Sequence, residues 1–129
     1  PPVLAGKAQH VADVGDLPGV LEKAQPPGFN RLGTDTNYAL LKSSLDDVRR
    51  RIPKPDFVLF PGDSMCHWWQ RKYDKMAKQT HLENPQAYRE FTAKAIRFVA
   101  GQLRERFPKT PILPALGNSD SFCGDYMIT

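Results

Sequence analysis

Residues 56–69 read DFVLFPGDSMCHWW, and residues 111–126 read PILPALGNSDSFCGDY. Each stretch is a short apolar run that ends at a glycine followed by a polar side chain able to meet a metal: Gly62 and Asp63 in the first, Gly117 and Asn118 in the second. Such a run, bounded by turn signals, predicts a strand buried on both faces, as in the middle of a parallel sheet. The two prolines of the second run predict a short strand, because proline cannot donate a ladder hydrogen bond. A glycine before the polar residue lets the backbone turn sharply or approach another group closely.

The segments around these runs are helical in pattern. From about Thr36 to Ile52, apolar Tyr38, Leu41, Leu45, Val48 and Ile52 recur at helical spacing, while Lys42, Asp46, Arg49 and Arg50 face away. Asp35 or Thr36 is the expected N-cap, and Pro53 stops the helix. A second helix is predicted from Asn84 as N-cap, with Pro85 at its first position, to about Arg106; Tyr88, Phe91, Ala95, Phe98, Val99 and Leu103 form its apolar stripe. A shorter helix is expected from Leu17 or Pro18 to about Ala24, followed by the loop QPPGFNRLGTD. The order helix, strand, long helix, strand predicts a βαβ unit with a leading helix, and so a parallel α/β sheet with a right-handed crossover.

In sheets of that kind ligands bind outside the carboxyl ends of the strands. Both glycine corners lie at such ends. Asp63 and Asn118 there offer a carboxylate and an amide oxygen, donors suited to a hard or borderline divalent cation. Either corner alone reads as well as a turn cap, since Asx side chains often bond their own backbone. The pair, with His67, Asp120 and Cys123 beside it, reads as a site.

Composition sets the outer bounds. A chain of 129 residues suits one domain, here a loop-rich segment over 1–32 and a core over 33–129. No apolar run approaches the roughly 18–20 residues needed to cross a bilayer. The first ten residues, PPVLAGKAQH, carry neither an initiator methionine nor the basic-then-apolar pattern of a signal peptide, which suggests processing or excision from a longer chain. The formal net charge is +4. The basic runs VRRRIPK, QRKYDKMAK and IRFVAGQLRERFPK mix with acids and read as solvated helix faces rather than a nucleic-acid patch. A mild attraction for anionic substrates follows from the charge. Cys66 and Cys123 are compatible with one disulfide, a metal pair or two inert thiols.

FVLFPGDSMCH (57–67) and ILPALGNSD (112–120) resemble the second and third signature blocks, GD and GNH[DE], of the calcineurin-like metallophosphoesterases. The resemblance is closest to the acid-sphingomyelinase-like branch. TNYALLKSSLDDVRR (36–50) is similar to its helix before the GD strand, Asp63 and His67 fall in its GDxxxH spacing, and GNSDSFCGDY (117–126) is similar to its GNxDSxCGDY form. The similarity runs from about residue 33 to 127.

The resemblance implies a partial metallophosphoesterase fold, with a parallel or mixed sheet and flanking helices forming half of a four-layer α/β/β/α sandwich. It implies two divalent metals, zinc in this branch, and hydrolysis of a phosphate ester by metal-activated water. Asp63 corresponds to the carboxylate that bridges the metals and Asn118 to an amide ligand of the second. Asp120 corresponds to an acid that orients its neighbours, and His67 to a proton donor for the leaving oxygen. The branch is secreted and rich in disulfides, which implies an extracytoplasmic location and makes Cys66–Cys123 a candidate bond.

Three departures accompany the match. HVADVGD near the N-terminus does not supply the Asp-x-His of the first block, the later histidine-bearing blocks are not represented, and Ser119 stands where most of the family has histidine. The expectation is therefore an incomplete domain that is catalytic only when completed, with its metals poorly held. It would expose a sheet edge able to meet a complementary chain or a second copy. The alternative is a non-catalytic binding or interaction module that keeps the fold without a full metal site.

Overall fold

The computed structural model describes residues 14–24, 28–80 and 84–120. A 3-10 turn at Val14–Asp16 leads into α1 (Leu17–Ala24), followed by α2 (Tyr38–Arg51), β1 (Val58–Phe60), α3 (Trp69–Thr80), α4 (Pro85–Arg106) and β2 (Ile112–Pro114). The helix bounds expected for α1 and α4 hold. At the head of α4 the Asn84 side chain accepts the Ala87 N–H at 2.6 Å, with Pro85 in the first position, where a missing N–H costs nothing.

The start of α2 differs from expectation. Neither Asp35 nor Thr36 caps it; Asn37 does. Its amide can do two jobs that a carboxylate or hydroxyl in its place could not do as well. Asn37 Oδ1 accepts the Leu40 N–H at 3.0 Å, and Nδ2 donates to the Gly28 carbonyl at 3.0 Å, tying the preceding loop to the helix. Arg49, Arg50 and Arg51 end the helix, where cations complement the carbonyl end of the macrodipole.

The chain between β1 and β2 carries two helices, not one. The expected order had no helix at α3, although Trp69, Tyr73, Met76 and Ala77 fall at helical spacing amid charged residues. Those residues build the core with Tyr88, Ala87 and Phe91 of α4. Trp69 stacks on Phe91 with centroids 5.3 Å apart, and Tyr73 meets Tyr88 edge-on at 5.2 Å. Aromatic pairs in these geometries add about 0.5–1.5 kcal/mol beyond their burial. Thr92, fully buried, joins the helices: its hydroxyl accepts Trp69 Nε1–H at 2.9 Å and donates to the Tyr88 carbonyl at 2.9 Å. α2 lies against α4 through Tyr38 and Phe98, 5.8 Å between centroids, and through Asp46 and Arg106 at 2.7 Å.

β1 and β2 pair in parallel, Val58 opposite Ile112, Leu59 opposite Leu113 and Phe60 opposite Pro114. The parallel α/β reading therefore holds in its coarse form, as a small mixed domain with a two-stranded parallel sheet. Burial of both sheet faces does not hold among the described residues. Val58, Phe60 and Ile112 are half-buried, whereas Leu59 is 66% exposed and Leu116, just past β2, is 84% exposed. Alternation puts Leu59 on the opposite face from Val58 and Phe60. Val48 and Ile52, expected in the α2 stripe, are exposed as well; with two strands in the sheet, the end of α2 has less to cover.

Two substitutions test this packing. Thr92→Val keeps the shape but strands the Trp69 indole N–H, and should cost about 1–3 kcal/mol in urea denaturation. Thr92→Ser retains the hydroxyl and should cost less. Asn84→Ala should cost about 1 kcal/mol through loss of the cap.

Candidate functional site

β1 and β2 run in the same direction, so their carboxyl ends deliver the two glycine corners to one rim. The contact between those corners is reciprocal. The Asp120 carboxylate, from the second corner, accepts the backbone N–H of Asp63 at 2.8 Å on Oδ2 and that of Ser64 at 2.8 Å on Oδ1. Its Oδ2 also accepts the N–H of Gly117 at 2.9 Å. In return, Asp63 Oδ1 accepts the Ser119 N–H at 3.2 Å. Each corner's carboxylate holds the other corner's backbone. One ladder bond below, the Ala115 N–H donates to the Phe60 carbonyl at 2.8 Å.

The glycines are required by this closeness. Gly62 has φ 96°, in the left-handed region. A Cβ there would overlap the Gly117 nitrogen and sit 2.7 Å from both Asp120 Oδ2 and the Leu116 carbonyl carbon. A Cβ on Gly117 would overlap the Asp63 carboxylate and backbone nitrogen. Asp63 itself has φ 55°, a conformation that aspartate tolerates better than bulkier residues do. The consecutive N–H groups of Asp63 and Ser64 then converge on one carboxylate, as in the backbone nests that bind anions.

Asp120 is buried and commits both oxygens to backbone donors. It holds the rim in shape, which makes it a positioning residue. Asp63 is exposed, and its Oδ2 accepts no hydrogen bond among the described residues. Asn118 is half-buried; its Nδ2 lies 3.3 Å from Ser119 Oγ, and its Oδ1 accepts no hydrogen bond among the described residues. Ser119 is buried. The structure thus brings Asp63, Asn118, Ser119 and Asp120 together. His67 lies four residues along the same loop, exposed, in the turn that opens α3. No group of three or more His, Cys, Asp or Glu with metal-holding geometry exists among the described residues.

The loop between β1 and α3 has two further features that the sequence pattern did not reveal. Trp68, like Asp63, is a non-glycine residue with positive φ, at 60°. That turn sends the two adjacent indoles apart: Trp69 into the core, Trp68 outward, 65% exposed, with the Arg71 guanidinium 5.7 Å from its ring centroid. The second feature is a polar chain. Lys72 Nζ lies 2.6 Å from Asp35 Oδ2 and 3.2 Å from Cys66 Sγ. Burial pushes the Cys66 thiol above its ordinary range, against the opposing hydrogen bond from Lys72. Burial draws the Lys72 ammonium down, but the Asp35 and Cys66 contacts outweigh it and hold it above its ordinary range. Cys66 is a free thiol; Cys123, its candidate disulfide partner, lies outside the described residues.

No family profile matches the chain, and no solved structure matches it significantly. Curated proteins do. The chain is 28% identical over 101 residues to Sphingomyelinase phosphodiesterase C of Dictyostelium discoideum, covering 78% of this chain and 20% of that protein. It is 30% identical over 86 residues to acid sphingomyelinase-like phosphodiesterase 3b of Mus musculus and, equally, of Homo sapiens, covering 67% of this chain and 16% of each. The chain spans about a fifth or less of the length of the curated relatives it matches. These relatives support the acid-sphingomyelinase-like branch of the resemblance. No helix is long and apolar enough to cross a membrane among the described residues.

The reciprocal lock makes a direct prediction. Asp120→Asn replaces one acceptor by a donor facing backbone N–H groups, and should destabilise the chain by about 2–4 kcal/mol. Hydrogen exchange at the Asp63, Ser64 and Gly117 amides should accelerate at least about tenfold, while the α4 amides move with global stability only. Gly62→Ala should be at least as damaging, because backbone rather than a flexible side chain occupies the space.

Proposed function

We propose that the chain contributes to a metal-dependent phosphoester hydrolase, acting on phosphodiesters or phosphomonoesters, and that catalysis requires the complete protein. The observation that carries this reading is the lock between the two corners. It holds the Asp63 corner against the corner that carries Asn118, at the carboxyl ends of parallel strands, and an oxygen of each side chain accepts no hydrogen bond among the described residues. The names of the relatives, all phosphodiesterases, support the substrate class.

The uncommitted oxygens suit a divalent metal, zinc first, with Asp63 Oδ2 and Asn118 Oδ1 as the donors this chain offers. A bound metal pair would supply activated water and charge neutralisation at phosphorus. Around it, the residues of this chain orient and move protons. Asp120 keeps the Asp63 backbone from relaxing when its carboxylate is pulled toward a cation. His67, exposed at the rim, would give a proton to the leaving oxygen. In the proposed architecture the two-stranded sheet is a piece of one half of the four-layer sandwich. Its open edge and exposed face would then meet the rest of the protein, a complementary chain or another copy. A secreted or extracytoplasmic setting goes with the same reading.

One observation favours the second reading, a binding module that keeps the fold without a working metal site. Ser119 is buried, with its hydroxyl near the Asn118 amide and its N–H on Asp63. A structural serine thus stands where the resemblance calls for a histidine.

Two measurements separate the readings. In the full-length protein, Asp63→Ala should lower activity on a chromogenic phosphodiester by at least about a thousandfold, with loss of bound metal; unchanged activity and metal content would reduce Asp63 to a turn cap. Zinc titration of the present chain should reveal no site tighter than about micromolar, because two oxygen donors fall short of the roughly four ligands each zinc takes. A stoichiometric nanomolar site would overturn the need for ligands from outside the chain.

A further inference from the structure

The Cys66, Lys72 and Asp35 chain has no part in the proposed hydrolysis, and its geometry bears on a different chemistry. Cys66 sits three residues past Asp63 in the loop that follows β1, while Lys72 projects from the first turns of α3. The amine nitrogen is 3.2 Å from sulfur, close to the van der Waals limit for the two atoms. Asp35 at 2.6 Å, from a distant loop, anchors the amine there. The thiol is half-buried.

We propose that Cys66 and Lys72 form an oxidation-dependent covalent cross-link, a sulfenamide between Sγ and Nζ. The oxidant is a peroxide. It converts the Cys66 thiol to a sulfenic acid and leaves as water or an alcohol, a two-electron oxidation of sulfur. Both reacting groups are held in their protonated forms at neutral pH, so the link forms as pH rises: Lys72 gives its ammonium proton to solvent, and its lone pair attacks the sulfenic sulfur. The sulfur–oxygen bond breaks, and the hydroxide departs as water with one of the remaining nitrogen-bound protons. The chain has then lost two hydrogens net, and a thiol reductant reverses the bond by attack on sulfur. A backbone nitrogen is known to trap a sulfenic acid in this way; here a side-chain amine already touches the sulfur.

The link would have a structural consequence. Nζ loses its charge, so the ion pair with Asp35 is broken and the loop over residues 28–37 loses its tie to α3. The Asp63 loop, in contrast, becomes bonded to α3. The proposal stands whether or not the rim hydrolyses phosphate esters, because its readout is covalent.

The test uses the chain treated with hydrogen peroxide at about one equivalent and at alkaline pH, where the thiolate and the free amine are populated. The expected product is lighter by about 2 Da, carries the Cys66 peptide joined to Lys72, and returns to its starting mass with dithiothreitol. Cys123→Ser should behave identically. Lys72→Arg retains a cation for Asp35 but no comparable nucleophile; it should stay folded by circular dichroism, fail to link, and accumulate sulfenic acid that dimedone captures. The proposal is overturned if the wild-type peptide map joins Cys66 to Cys123. It is equally overturned if Cys66 gains oxygen while Lys72 remains open to acylation, or if Lys72→Arg shows the same mass loss at the Cys66 peptide.

Discussion

The Asp120 carboxylate gathers three backbone N–H groups from two segments separated by more than fifty residues. The arrangement at the rim depends on that convergence. A two-stranded sheet with one face open gains little from burial, and three ladder residues per strand are few. Hydrogen bonds to a charged acceptor contribute about 1.5–3 kcal/mol each, roughly twice the neutral kind. A buried carboxylate satisfied in this way also avoids the penalty that an unpaired one would carry. The glycines follow from the lock, because closing three such bonds brings one backbone against the other.

The same loop links the rim to the helical core. Leaving the lock at Ser64, the chain buries Met65, exposes His67 and Trp68, and then drives Trp69 into the α3–α4 interface, where Thr92 receives its indole N–H. Positive φ at Trp68 makes that reversal within one residue. Backbone strain of this kind persists only where its surroundings over-determine it. Here one side is pinned by Asp120 and the other by the Trp69–Phe91 stack. His67 lies between these two fixed points, so the scaffold sets where its backbone stands.

Much of the fold was legible because it rests on local signals. Asn84 with Pro85 announces α4, the apolar periodicity announces α2, and two glycine-terminated apolar runs announce parallel strands. The cap of α2 was misplaced because three polar residues in a row compete for it, and the choice was made by a contact to Gly28 that lies nine residues away. The sequence brings the two glycine corners to one rim and gives Asp120 there as an acid that orients its neighbours, but it does not say that those neighbours are the backbone N–H groups of Asp63, Ser64 and Gly117. No periodicity encodes those contacts. The exposed face of the sheet was misjudged for another reason: an apolar run states that a strand can be buried, not what is present to bury it. The Asp35–Lys72 pair, thirty-seven residues apart, has no local signature.

The division of charge at the rim bears on how such a site can bind a cation at all. Two carboxylates close together repel, and a rim that presented both would bind a cation only after relieving that repulsion. Here Asp120 is turned inward, its charge met by three N–H dipoles, while Asp63 spends one oxygen on Ser119 and keeps the other. Asn118 brings an oxygen of the right kind without a third negative charge. Among the described residues, the result is a rim with one carboxylate oxygen and one neutral oxygen left uncommitted. In the proposed hydrolase, that set would favour a cation sharing its remaining charge with a phosphate ester over one fully neutralised by the protein. By turning Asp120 into a structural anion, the fold leaves Asp63 as the carboxylate with a free oxygen at the rim, the charge that the proposed metal would meet.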